Sequence, residues 1–208
     1  MSLVAILDTG FEEHSELVEA LQLSGAQILV TTNRAEILNA DAFIIHSSGD
    51  FSSLMKSLEK THGPELIDKR LAGGKAVLGI GTGLQVMFET HFELEEETSG
   101  LSQWPGALKR TTNSQVKTPS MEQVLVAKGS KLFDGIESPK FWFGNSHAVS
   151  EFTLQVDPPF VTPAISYLAG ETSFVAAVEN GPLTGVQFHP EKSGEAGLAL
   201  LRNWLGTI

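Results

Sequence analysis

The chain has 208 residues, 41% of them hydrophobic and 19% charged, with a formal net charge of −11 and no cysteine. That length and balance fit a single globular α/β domain over residues 1–208, and the acidic character excludes the phosphate backbone of a nucleic acid as its main ligand. The lack of cysteine excludes disulfides, thiolate zinc sites and a cysteine nucleophile. No apolar stretch approaches the ~20 residues that span a bilayer, and no basic flank with a long apolar region opens the chain. The expectation is a cytoplasmic protein without a membrane partner.

Leu3–Leu7 is a short apolar run that reads as a buried strand, turned by Asp8-Thr9-Gly10. Leu17, Val18 and Leu21 recur at helical spacing over Ser15–Leu23, and Ser24-Gly25 stops that helix. A strand over Gln27–Thr31, a helical turn over residues 35–38 and a buried strand over residues 42–45 follow, the last running into His46-Ser47-Ser48-Gly49. Helical segments over residues 51–60 and 64–72 lead to the stretch that organises the chain. There an apolar run meets Gly79, Gly81 and Gly83, and Leu84, Met87 and Phe88 resume a helical spacing, which reads as strand, tight turn, helix. The alternation predicts a parallel sheet with helices on both faces.

Beyond Phe88 the pattern changes. The acidic run at residues 93–97 reads as a solvated surface segment, since a flat run does not converge on a metal ion. Short β-rich segments at residues 121–127, 141–143 and 152–156, punctuated by prolines, predict an antiparallel extension of the sheet. Residues 174–178 and 183–188, on either side of Asn180-Gly181, read as a hairpin. A helix carrying Leu198, Leu201 and Leu205 closes the chain.

The glycine-rich turn has the architecture of a nucleophile elbow, whose tip normally carries a reactive side chain; here the tip is Gly81. Thr82, one position further on, is placed to cap the following helix. Phe188-His189-Pro190-Glu191 sets an imidazole after a strand and a carboxylate two residues later, a spacing that lets Glu191 hold one ring nitrogen while the other acts as a base. The same spacing also occurs where a strand-end His simply meets solvent. The N–H groups of residues 46–49 suit an anion cradle or, more plainly, a Ser/Gly connection. Ser146 and His147 are adjacent and poorly placed to face each other. His14, His62 and His91 lie among polar neighbours and read as surface residues, so neither a metal site nor a cofactor is expected. The glycines match neither the dinucleotide nor the P-loop pattern.

Gly79-Ile80-Gly81-Thr82-Gly83-Leu84-Gln85, residues 174–179, and Gly185-Val186-Gln187-Phe188-His189-Pro190-Glu191-Lys192-Ser193 together resemble the class I glutamine amidotransferase family along nearly the full chain. Within that family they look most like the glutaminase subunits of imidazole glycerol phosphate synthases. The resemblance implies a flavodoxin-like α/β fold, with a mostly parallel central sheet and an antiparallel extension. It also implies a cysteine that attacks the glutamine amide, a His proton shuttle oriented by a Glu, and ammonia delivered to a cyclase or synthase partner in histidine biosynthesis. By position Gly81 stands where the family's Gly-x-Cys-x-Gly-x-Gln has its cysteine. His189 and Glu191 match the other two triad members, while Gly49, Thr82 and Gln85 fall at the substrate pocket and oxyanion hole.

Departures from the family cluster around this site. The family's Pro-Gly-Val-Gly is His46-Ser47-Ser48-Gly49, its Pro-His-Met-Gly-Trp is Pro119-Ser120-Met121-Glu122-Gln123, and its Val-His-Ser-Tyr is Gly144-Asn145-Ser146-His147. The expectation is a pseudoenzyme that keeps the fold and has lost glutaminase chemistry. Two alternatives stand beside it: a small-molecule-binding or regulatory module lined by Ser47, Ser48, Thr82, Asn145 and His147, and a redirected hydrolase using Thr82 or Ser146 with His189.

Overall fold

A computed structural model describes residues 1–10, 12–93, 96–111, 118–144, 146–150, 152, 154, 156, 161–170 and 173–208. The first half alternates as expected: β1 (Leu3–Leu7), α1 (Ser15–Leu23), β2 (Gln27–Thr31), α2 (Arg34–Asn39), β3 (Ala42–Ser47), α3 (Phe51–Lys60), α4 (Gly63–Ala72), β4 (Ala76–Gly81) and α5 (Thr82–Gln85). The second half is β-rich: β5 (Phe88–Glu93), β6 (Glu96–Ser99), β7 (Trp104–Arg110), β8 (Ser120–Leu125), β9 (Lys140–Phe143), β10 (His147–Ala148), β11 (Ala164–Leu168), β12 (Val175–Asn180) and β13 (Leu183–Val186). A 3₁₀ turn at Pro190–Lys192 leads into α6 (Gly194–Leu205).

The main sheet has the order β2-β1-β3-β4-β13-β12-β11-β8-β9. Its strands from β2 to β13 pair in parallel, and those from β12 to β9 add antiparallel. This is the predicted parallel core with its antiparallel extension. A second sheet, ordered β10-β7-β5-β6, is built beside it.

Burial on both faces explains why the central strands are apolar without alternation. Successive residues of a strand point to opposite faces. Val4 and Ile6 therefore join Leu17 and Leu21 of α1 and Leu200, Leu201 and Trp204 of α6, while Ala5 and Leu7 join Ile37 of α2, Leu54 and Leu58 of α3 and Leu66 of α4. Each fully buried Leu or Ile contributes about 1.5–3 kcal/mol of transfer free energy. Local signals agree with the packing: Asn33 caps α2 by accepting from the N–H groups of Ala35 and Glu36, and Asp50 caps α3 by accepting from Ser53 N–H at 2.8 Å. Gly181 turns the β12–β13 hairpin at φ +58°.

Arg70 on α4 is 1% exposed and, among the described residues, has no carboxylate partner within salt-bridge distance. Its guanidinium donates to the carbonyl oxygens of Ile37 (2.7 Å), Ala40 (3.0 Å), Asp41 (2.9 Å) and Ala76 (3.1 Å). Burial pushes its pKa down, opposed by the charge of Asp41.

Two expectations fail. The helix after the glycine turn is a single turn ending at Gln85, and Phe88 opens a strand. Phe88, Thr90 and Phe92 suit a strand, and pairing with β7 overrides the helical spacing that Leu84, Met87 and Phe88 share. Of the segment read as a strand over residues 152–156, Phe152, Leu154 and Val156 lie outside any strand and residues 153 and 155 lie outside the described residues. Phe152 is buried instead against Phe88 and Trp104. Among the described residues no helix is long and apolar enough to cross a membrane.

Candidate functional site

β4 ends at the carboxyl edge of the sheet, and the chain reverses at Gly81 into α5. Gly81 holds φ +62° and ψ −120°, a backbone conformation that a residue with a side chain adopts only under strain. A Cβ placed there would lie 2.5 Å from the Ser47 carbonyl oxygen and 2.8 Å from His189 Nε2. The flanking glycines are needed for space: a Cβ on Gly83 would run into the Ile45 carbonyl, and one on Gly79 would come 2.5 Å from the Gly83 carbonyl oxygen. The elbow geometry is therefore present, and its missing side-chain direction is aimed at an imidazole.

That imidazole belongs to a buried relay. His189 and Glu191 are brought together by the turn that follows β13, where His189 N–H also donates to the Trp142 carbonyl at 2.9 Å. His189 Nδ1 lies 2.7 Å and His46 Nε2 3.1 Å from Glu191 Oε1, and His14 Nδ1 lies 3.1 Å from His46 Nδ1. The side chains of His189 and Glu191 are each 1% exposed. Burial alone would raise the Glu191 pKa, but the hydrogen bonds from His189 and His46, with their charge, hold it well below the usual carboxylate range. An ionised Glu191 takes N–H donation from both rings. The other ring nitrogen of His189, Nε2, faces the elbow. Burial, followed by the influence of His46, lowers the His14 pKa.

Neither His14 nor His91 is at the surface. They are 7% and 6% exposed, because loop and sheet packing, invisible in their polar local sequence, closes over them. His62 is exposed as expected.

The loop that follows β3 is occupied by the protein's own carboxylate. Ser47 Oγ and Ser48 N–H donate to Glu12 Oε2 at 3.0 and 3.1 Å, Ser48 Oγ donates to Glu12 Oε1 at 2.6 Å, and Gly49 N–H donates to Ser47 Oγ at 3.0 Å. Although burial opposes it, these bonds keep the Glu12 pKa low. Thr82 does not cap α5. Its hydroxyl donates to the Gly49 carbonyl at 2.6 Å and ties the elbow to this loop. Gln85 Nε2 donates to the His147 carbonyl at 2.9 Å. Ser146 Oγ lies 3.0 Å from His147 Nδ1, and among the described residues neither Thr82 nor Ser146 hydrogen-bonds His189. Asn145 lies outside the described residues.

Beside the elbow is a cleft of about 230 Å³, lined in part by Ser48, Gly49, Thr82, Gln85, His91 and His147. Phe51 stacks on the His91 ring (centroids 4.5 Å apart, 9° between planes), and His91 and His147 meet at 4.6 Å. Burial pushes the pKa of both imidazoles down. Glu93, from the acidic run, is half exposed but reaches back to place Oε2 at 2.8 Å from His147 Nε2.

The sequence pattern pointed to Gly81, His189 and Glu191, and the fold brings these together; Gly49, Thr82 and Gln85 lie beside them at the cleft. It placed the His46–Gly49 stretch near the site but gave no sign that the His46 ring meets Glu191, nor of Glu12 and His14 as neighbours or of His91 and Glu93 at the cleft. These residues come from separate segments, with no local motif to link them.

The model of the family described as "Glutamine amidotransferase class-I" matches residues 5–207. An imidazole glycerol phosphate synthase subunit HisH from Leifsonia xyli subsp. xyli is 42% identical over 205 residues, covering 99% of this chain and 98% of that protein. The HisH subunit from Streptomyces avermitilis is 38% identical, covering 99% of this chain and 96% of that protein. A solved glutamine amidotransferase structure superposes with a TM-score of 0.71 at 17% identity, covering 98% of this chain and 97% of that one. The structure of PurLQS from Thermotoga maritima superposes with a TM-score of 0.69 at 16% identity, covering 100% and 99% respectively. The chain belongs to the class-I glutamine amidotransferase family, with HisH subunits among its relatives in sequence.

Proposed function

We propose that this chain is a glutaminase-type subunit of an imidazole glycerol phosphate synthase that has lost glutamine hydrolysis and kept the fold that docks on a cyclase partner. The observation that carries the reading is Gly81. The elbow is formed and His189 Nε2 faces its tip, yet the tip has no nucleophile and the chain has no cysteine to supply one. Glu12 adds support, since its carboxylate takes the Ser48 N–H that an oxyanion would need. Deleting a triad nucleophile removes as much as ~10⁶ in kcat.

The test is ammonia release from glutamine by the purified chain, alone and with the cyclase subunit, alongside sedimentation of the mixture. The expected result is a complex without turnover above background. Turnover above background overturns the loss of activity, and separate sedimentation of the two chains overturns the docking role. The cleft of about 230 Å³ favours a second reading, a pocket turned to another small ligand. A flat thermal-shift response across a metabolite panel that includes glutamine counts against it, since a ligand at ~100 times its Kd adds ~2.7 kcal/mol.

A further inference from the structure

The cleft holds a cluster for which the His189–Glu191 pair has no use. His91 and Glu93 stand two apart on β5 and so share a face. β10 brings His147 to the same face across β7, where His91 pairs with Leu108 and His147 with Arg110. One donor atom from each of the three residues lies within 4.8 Å of the others. His147 is 8% exposed, and its Nε2 is sealed from solvent, with no hydrogen-bond partner among the described residues. Glu93 Oε2 lies 2.8 Å from that nitrogen. The other ring nitrogen of His147 is engaged with Ser146 Oγ, which fixes the ring with Nε2 toward the cluster.

We propose that His91, Glu93 and His147 bind a first-row divalent cation of the zinc type, through one ring nitrogen of each His and a carboxylate oxygen of Glu93. Two imidazoles and one carboxylate make up the donor set of a three-ligand zinc site with an open position. Magnesium and calcium prefer all-oxygen sets. Tetrahedral bonds of ~2.0–2.1 Å place donors ~3.3 Å apart, and the Glu93 side chain, 47% exposed, is free to adjust to that spacing. The Ser146 contact to His147 Nδ1 is the outer hydrogen bond that metal-bound imidazoles characteristically make. All three residues line the cleft. His46, His189 and Glu191 also converge, but their donor atoms are spent on one another at 2.7 and 3.1 Å. His147 stands at the Tyr position of the family's Val-His-Ser-Tyr, so one ligand arises from a departure already noted.

The inference goes beyond the loss of glutaminase chemistry and fails separately from it, because a chain that binds no zinc still lacks the elbow nucleophile. The test uses the chelator-treated full chain, titrated with Zn²⁺ by calorimetry and counted by atomic emission after dialysis, with Co²⁺ absorption as a probe of coordination. One ion per chain is expected. His147→Phe and Glu93→Gln are each expected to weaken binding by more than ~10–100-fold, the loss typical of an outer partner alone, whereas His46→Gln leaves the zinc Kd unchanged. Far-UV circular dichroism and the Tm of each metal-free variant report folding. If His147→Phe fails to fold, Glu93→Gln, at a half-exposed carboxylate, carries the test. The proposal is overturned by a wild-type chain without stoichiometric zinc, or by zinc that persists in Glu93→Gln and is lost in His46→Gln.

Discussion

Replacing Gly81 by cysteine would supply the elbow nucleophile that the resemblance implies, and the structure says what that substitution meets. The backbone at φ +62°, ψ −120° suits glycine, and a side chain held there costs about 1–3 kcal/mol. The new Cβ would sit 2.5 Å from the Ser47 carbonyl oxygen, a backbone atom with little freedom to yield, and 2.8 Å from His189 Nε2. For a chain of this length, 1–3 kcal/mol corresponds to a fall in Tm of roughly 2–12 °C. Activity is expected to stay at background in an ammonia-release assay, even if the thiol is well placed. Ser48 N–H is committed to Glu12, Gly49 N–H is committed to Ser47 Oγ, and losing one oxyanion donor alone costs about 10²–10³ in kcat. An unchanged Tm for Gly81→Cys refutes the strain argument, and brisk turnover refutes the blocked cradle.

Two further outcomes follow from buried charge. Arg70→Leu leaves the carbonyls of Ile37, Ala40, Asp41 and Ala76 without their donor and is expected to lower stability by at least about 3 kcal/mol in urea unfolding, since hydrogen bonds to charged groups contribute about 1.5–3 kcal/mol each; a loss under 1 kcal/mol, about the worth of one neutral hydrogen bond, refutes this. Glu191, faced by His189 and His46, has a folded pKa below its unfolded one, so its contribution is complete above ~4.3 and is lost as pH falls below that value. His14, faced by His46, Glu12 and Asp8, also has a lowered folded pKa, so folding loses stability earlier, as pH falls below ~6.5 and the unfolded chain takes up a proton first. Unfolding titrations of Glu191→Gln are expected to show a flatter limb below pH ~4.3 with the earlier fall retained; a limb as steep as the parent's contradicts the depressed carboxyl.

The parallel half of the sheet was readable because its strands are buried on both faces and carry that burial in unbroken apolar runs such as Val4-Ala5-Ile6-Leu7. β5 was not, because Leu84, Met87 and Phe88 mimic one helical face while belonging to two elements. At the site, His189 and Glu191 were legible because two residues of sequence and one proline set their geometry. Glu12 and Ser47, 35 residues apart, and His46 and Glu191, 145 apart, meet only through the order of strands in the sheet. Glu93, Glu96 and Glu97 of the acidic run are exposed as expected, but the approach of Glu93 to His147, against the reading of a flat run, depends on pairing between β5, β7 and β10, which no local pattern carries.

Arg70 also bears on how the molecule opens. Its acceptors are the last carbonyls of α2, the residue entering β3 and the first residue of β4, so a single side chain on α4 closes the amino-terminal edge of the sheet. Fraying α2 alone would take two of four acceptors from a buried cation, and detaching α4 alone would strand the carbonyls. Amide protons in α2 and α4 are therefore expected to exchange with solvent as one cooperative unit, while the exposed edge strand β6 exchanges on its own.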